Sequence, residues 1–162
     1  MTVEVKRATK KDARTIAEYA IKLFAQHREY DARRFAEIAS IEGATNFYGS
    51  QTETKDAAIL IAELENKIVG FAYIRHESLD YADLLENAAW LHDLYVDEAA
   101  RGHNAGKFLI EKSIEIAREF GADKLVLSVA ARNEYARNFF ERQGFRTTMV
   151  EMMLDLTENE SG

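Results

Sequence analysis

The sequence predicts an α/β fold: a mixed sheet flanked by helices, in the order β-α-α-β-β-β-α-β-α-β. Three observations carry this reading. Segments that alternate apolar and polar residues interleave with segments of helical period. One segment, "DKLVLSVAA", is apolar almost throughout, as a strand buried on both faces is. A glycine-containing loop, "ARGHNAG", joins a strand-like run to a helical one, so the strand, helix and next strand form a crossover between parallel neighbours.

The elements follow in order. "VEVKRA" (3–8) alternates and reads as the first strand. Thr9 suits an N-cap, and Ala13, Ile16, Ala17, Ala20, Ile21 and Phe24 then recur on one helical face. "DARRFAEIAS" (31–40) reads as a second, shorter helix capped by Asp31, and residues 41–56 as loop. "AAILIAEL" (57–64), "ENK" and "IVGFAYIRHE" (68–77) form a hairpin. "SLDYADLLENA" (78–88) is a long acidic connection into the strand "AWLHDLYV" (89–96). The helix over 105–121 places Leu109, Ser113, Ile116 and Phe120 on one face and ends at Gly121. "NEYARNFFERQG" is a short helix between the cap Asn133 and Gly144. "FRTTMVEMMLDL" (145–156) is the last strand, and its apolar "MVEMMLDL" run offers an edge for a homodimer.

The 162 residues are enough for one domain with a real core, taken as 1–162. With no cysteine, disulfides, zinc-thiolate sites and cysteine nucleophiles are excluded, and no metal site is expected. The N-terminus lacks a signal-peptide core, and the longest apolar run is too short for a bilayer, so the expected compartment is the cytoplasm. A net charge of −7 disfavours nucleic acid and anionic membranes and favours cations.

The loop over 101–107 carries the first chemistry. A helix start presents unpaired N–H groups and a partial positive charge, which a phosphate satisfies. Gly102 and Gly106 leave the approach bare, Asn104 tolerates left-handed dihedrals, and Arg101 adds a fork suited to phosphate oxygens. No Gly-Lys-Ser/Thr and no G-x-G-x-x-G is present, so neither a P-loop nor a dinucleotide fingerprint fits.

"LYVDEAARGHNAGKFLIE" followed by "NEYARNFFERQGF" resembles the two signature segments of the GNAT superfamily of N-acetyltransferases. Arg101 and Gly106 take the outer places of the first, with Asn104 where a glycine is usual. Asn133, Ala136, Phe139, Glu141, Gly144 and Phe145 match the second, with Phe140 where tyrosine is usual. The resemblance implies a GNAT-like fold over nearly the whole chain and transfer of the acetyl group of acetyl-CoA to a primary amine. It implies that Arg101, Gly102 and the backbone of His103, Asn104, Ala105, Gly106 and Lys107 hold the pyrophosphate. Leu94 and Val96 would pair their main chain with the pantetheine arm where the sheet splays, with Asn133 and Phe140 beside it.

An alkyl ammonium of pKa ~10.4 is neutral about once in 10³ molecules at pH 7, and only the neutral amine attacks a thioester, so the site needs a base. His92 is the candidate. Period-two counting puts it on one face with Leu94 and Trp90 and puts Asp93 on the other. Without cysteine, direct transfer in a ternary complex is the simpler route. Tyr30, Asp31 and Tyr48 from the early helices, with Asp80, Asp83 and Trp90 from the strand side, make carboxylates and aromatics suited to a small cationic amine. A protein or peptide N-acetyltransferase and a non-catalytic CoA-binding sensor are the alternatives; the second draws on the missing tyrosine at Phe140.

Overall fold

In the computed structural model, which describes residues 2–157, the chain forms β1 (Glu4–Arg7), α1 (Ala13–Tyr30), α2 (Ile41–Gln51), β2 (Ala57–Leu64), β3 (Lys67–Asp80), β4 (Leu85–Val96), α3 (Ala105–Glu119), β5 (Lys124–Val126) and α4 (Glu134–Arg142). The sheet has strand order β1-β2-β3-β4-β5. Its first four strands are antiparallel neighbours, and β5 joins β4 in parallel after the α3 crossover. No helix among the described residues is long and apolar enough to cross a membrane.

Two cores lie on the two faces of this sheet. On one, Ile16, Ala20 and Leu23 of α1 and Ala44 and Tyr48 of α2 pack on Ile59, Ile61, Phe71, Tyr73 and Tyr95. On the other, Leu109, Ile110 and Ile116 of α3 pack on Leu60, Ile74, Ala89 and Leu91. The alternation that places Leu60 on one side and Ile59 and Ile61 on the other is the period-two pattern read from the sequence.

Three stretches differ from the sequence reading. Residues 31–40 form turns rather than a helix. The Asp31 carboxylate accepts the N–H groups of Arg33 and Arg34, each at 3.1 Å, which closes a local turn instead of capping a helix. The second helix begins ten residues later, where Ser40 Oγ accepts the Gly43 N–H at 3.0 Å. Residues 78–88 are mostly not a loop: β3 and β4 continue as a long hairpin around the turn 81–84, with Leu84 at a φ of 52°. Finally, 145–156 makes no ladder among the described residues, and β5 is three residues long rather than nine.

Candidate active site

The β3–β4 register shifts at Tyr73/Ile74: Tyr73 pairs with Asp93 and Ile74 with Leu91, leaving His92 as the extra residue of a bulge. The bulge resets the alternation of β4. Leu91 and Leu94 join the α3-side core, while Tyr95 joins the α1/α2-side core. His92 and Asp93 therefore face the same side, toward α1 and α2, and Leu94 faces away. This corrects the period-two reading that grouped His92 with Leu94 and set Asp93 apart.

A cavity of about 500 Å³ lies on this side, walled by Phe24, Ile38, Phe47, Tyr48 and Tyr73, with His92 and Asp93 among its lining residues. The Tyr48 hydroxyl donates to Asp93 Oδ2 at 2.7 Å. Burial pushes the Asp93 carboxyl up to about 6, against the lowering effect of that hydrogen bond. Burial and the adjacent carboxylate push the Tyr48 hydroxyl up, so it stays a donor at neutral pH. The His92 ring stands between Tyr73 (centroids 5.4 Å apart) and Trp90 (5.9 Å). Partial desolvation there lowers its pKa, with Glu77 opposing and Arg75 adding to the shift.

His92 also lines a second cavity of about 270 Å³, with Glu77, Asp80, Asp83, Trp90 and Ser128. Of the residues singled out in the sequence, Tyr48 and His92 thus line the first cavity, beside Asp93 and Tyr73, and His92, Trp90, Asp80 and Asp83 line the second, beside Glu77. Tyr30 and Asp31 line neither cavity. The Tyr30 carbonyl accepts from Arg132 Nη1 at 3.0 Å, and Asp31 is engaged in its own turn. Glu77 was legible in principle, since it follows Tyr73 and Arg75 at period two on one strand. Asp93 was hidden by the bulge.

On the opposite flank of β4 the sheet opens. The β4–β5 ladder covers only Ala88–Trp90 against Lys124–Val126. The Asp97 N–H donates toward β3, to the Val69 carbonyl at 2.7 Å. By alternation the N–H groups of Leu94 and Val96 point away from β3, into the opening beside β5. At the far end of that opening α3 begins. Asn104 sits in the left-handed region at φ 61°, Gly102 at φ 85°, and no side chain caps the helix. The first intrahelical bond runs from the Phe108 N–H to Asn104, so the preceding N–H groups of the first turn stand free for an anion.

Gly102 and Gly106 each have a local reason within the chain. A Cβ on Gly102 would meet nothing within 4 Å, and its positive φ of 85° favours glycine. A Cβ on Gly106 would stand 3.2 Å from Phe139 Cζ, so this glycine admits the α4 ring against α3, a contact the sequence reading did not include. Arg101 is exposed, 3.8 Å from Glu98. Asn133 caps α4, its Oδ1 accepting the Ala136 N–H at 3.1 Å. Phe140 packs edge-to-face on Phe139 and Phe145, an apolar cluster against the α3-side core.

Comparison with known proteins places this geometry. Residues 14–145 match the model of the acetyltransferase (GNAT) family. The chain is 28% identical over 143 residues to YhfO of Bacillus subtilis, an uncharacterized N-acetyltransferase, covering 88% of this chain and 89% of that one. Its fold superposes on a mutant of the BH1408 protein of Bacillus halodurans with a TM-score of 0.84, at 20% identity over 95% of this chain and 99% of the other. It also superposes on an aminoglycoside acetyltransferase from an uncultured soil metagenomic sample, with a TM-score of 0.67 at 20% identity over 96% and 97% of the two chains.

Proposed function

Because the chain belongs to the GNAT family of acetyltransferases, we propose that it transfers the acetyl group of acetyl-CoA directly to a primary amine of a small cationic molecule, with His92 taking the amine's proton. One observation carries this reading: the bulge in β4 sets His92 and Asp93 in the acceptor cavity on one side of a strand whose other flank opens toward the free start of α3.

The uncapped first turn of α3, with Arg101 beside it, would hold the pyrophosphate, and the main chain of Leu94 and Val96 would pair with the pantetheine arm. The amine enters from the α1/α2 side as an ammonium. Asp93, with a pKa of about 6, is mostly ionised at neutral pH, and its charge draws the cation in. Glu77, Asp80 and Asp83 extend the same attraction along the second cavity. His92, neutral because its pKa is lowered, accepts the proton directly or through one water. The nitrogen lone pair attacks the thioester carbon, a backbone N–H in the opening of β4 stabilises the oxyanion, and the C–S bond breaks. Phe140 brings no hydroxyl to the departing thiolate, so its proton comes from water or from Ser128. The chain has no cysteine to carry an acetyl-enzyme, which favours transfer in a ternary complex. The aminoglycoside acetyltransferase among the fold neighbours is consistent with a polycationic acceptor.

Turnover of acetyl-CoA across a panel of polyamines, aminoglycosides, amino acids and lysine peptides tests the acceptor class. Preference for peptides over every small amine refutes it, and no turnover with any amine refutes the enzyme. On the best amine, His92→Ala should lose about 10²–10⁴-fold in rate at neutral pH and recover in part at high pH, with acetyl-CoA binding unchanged. A native pH profile in this variant moves the base to Asp93 or to water.

A further inference from the structure

Two properties of the larger cavity bear on what the acceptor is. The first is the shape of its wall. The side chains of Phe24, Ile38, Ala44 and Phe47 bring only carbon to it, and the rings of Tyr48 and Tyr73 complete the enclosure. Phe47 stands edge-to-face on both tyrosines, with centroids 5.2 Å from Tyr48 and 5.7 Å from Tyr73. The two tyrosines meet each other at 5.9 Å and 89°. Three rings locked together in this way hold one shape.

The second property is where the polar atoms of the wall are engaged. The Tyr48 hydroxyl donates to Asp93 Oδ2. The Tyr73 hydroxyl donates to Oε1 of the buried Gln51 at 2.7 Å. Ser40 Oγ accepts the Gly43 N–H that starts α2. Both tyrosine protons thus have partners within the protein, and the wall offers a guest mainly ring carbon and methyl groups. His92 and Asp93, neighbours in the chain, supply polar contact at one place. A polyhydroxylated or polyamino body here would set its own hydrogen-bonding groups against carbon, losing hydration without replacing it. An apolar body meets no such cost and gains by leaving water. The exposed part of the lining agrees: Ile38 is 89% and Phe47 45% exposed, large apolar side chains standing open beside an apolar space.

We infer that the acceptor's reacting amine is carried by a compact apolar body, an aryl or branched alkyl group, which fills this cavity while the nitrogen lies at His92 and Asp93. The inference rests on the reading of this cavity as the acceptor site of an acetyltransferase and adds what that reading left open, the body of the acceptor. Tyr48 engages Asp93 Oδ2, which leaves Oδ1 for the ammonium. Tyr73, whose ring centroid is 5.4 Å from that of His92, adds cation–π attraction to the same group. Further charges of an acceptor belong in the second cavity, with Glu77, Asp80 and Asp83, and not in the first.

Rates with a series of amines test this on the native chain. In kcat/KM, 2-phenylethylamine and 3-methylbutylamine should exceed ethanolamine by at least about 10²-fold, since a single methylene in an apolar pocket is worth about 10-fold or more. They should also exceed spermidine and kanamycin. Phe47→Ala should lower the preference for 2-phenylethylamine over ethanolamine by about 10-fold, through KM rather than kcat. Ile38→Asn, at an exposed position outside both cores, should act in the same direction. Should Phe47→Ala fail to fold, the native series and Ile38→Asn decide. Calorimetric titration in the presence of coenzyme A separates this inference from the reading beneath it. 2-Phenylethylamine should bind with a negative heat-capacity change, the mark of buried apolar surface. Such binding without acetyl transfer upholds the apolar body and refutes the acetyltransferase reading of the site. Faster turnover of spermidine or kanamycin refutes the apolar body and leaves acetyl transfer standing, and so does a preference that neither variant changes. A native chain that neither binds nor acetylates the two apolar amines overturns the inference outright.

Discussion

At the scale of single residues, Asp93 concentrates both the chemistry and its cost. Its pKa of about 6 lies roughly two units above the ~3.9 of an unfolded aspartate. The folded state therefore binds the extra proton between these values, and stability from this group falls as pH rises from about 4 to about 6. Above that window a buried charge costs about 3 kcal/mol, at ~1.36 kcal/mol per unit. Asparagine keeps an oxygen for the Tyr48 hydroxyl and carries no charge. Asp93→Asn should thus be more stable than the native chain by up to about 3 kcal/mol at pH 8, with the difference shrinking toward pH 4. Urea denaturation of both proteins at the two pH values measures this, and a constant difference refutes the buried charge. The same variant should raise KM for a cationic amine. His92 was legible in the sequence because a histidine two residues before a signature segment is chemically conspicuous. Asp93 was not, because one bulge residue inverts a parity count and nothing local announces it. Tyr30 and Asp31 were read as acceptor contacts because they come from the early helices, but a carbonyl contact and an Asx turn engage them instead.

At the scale of elements, β1, β2 and α3 were read to within two residues at each end, because each shows one face to a core and its period survives. β3 and β4 run further than read, β5 is shorter, and 145–156 enters no ladder among the described residues. The second helix was misplaced. Its face, Ala44, Tyr48 and Gln51, is interrupted by Gly43 and Gly49, which blur the helical period. The long hairpin was missed because its far half packs against little: Leu79, Tyr81 and Leu84 are exposed. The junction of α3 with α4 makes a separate prediction. Gly106→Val would drive branched atoms into a ring already 3.2 Å from an added Cβ. None of α4 is fully buried, so it depends on the Phe139 and Phe140 contacts to stay docked. The variant should lose about 1–3 kcal/mol of stability from overpacking, and Phe139→Leu in the same chain should restore part of it. Melting curves of the three proteins test this. A Gly106→Val protein that melts like the native chain but fails to bind acetyl-CoA would return this glycine to the phosphate site.

At the scale of the whole molecule, two signature segments made the family legible, because a free helix start and a capped short helix are written in few residues. The apolar run over 145–156 reads as an ordinary strand, yet it enters no ladder among the described residues, and nothing local in the sequence announces that. Ligand linkage probes the molecule as a unit. The opening beside β4 and the first turn of α3 exist only in the native state, so the proposed site predicts that acetyl-CoA binds folded chain in preference to unfolded chain. At a concentration near 100 times its dissociation constant it should stabilise the fold by about 2.7 kcal/mol, roughly 5–10 °C in melting temperature for a chain of this length. Where assembly is coupled to folding, melting also depends on protein concentration, so the comparison must hold that fixed. ATP and NADH also carry pyrophosphate, but neither has a pantetheine arm to pair with Leu94 and Val96, and both should shift the curve far less. Equal shifts from all three would mean that the helix start alone binds phosphate and that the open flank of β4 contributes nothing. No shift from acetyl-CoA at saturating concentration would remove the acetyl donor from this site.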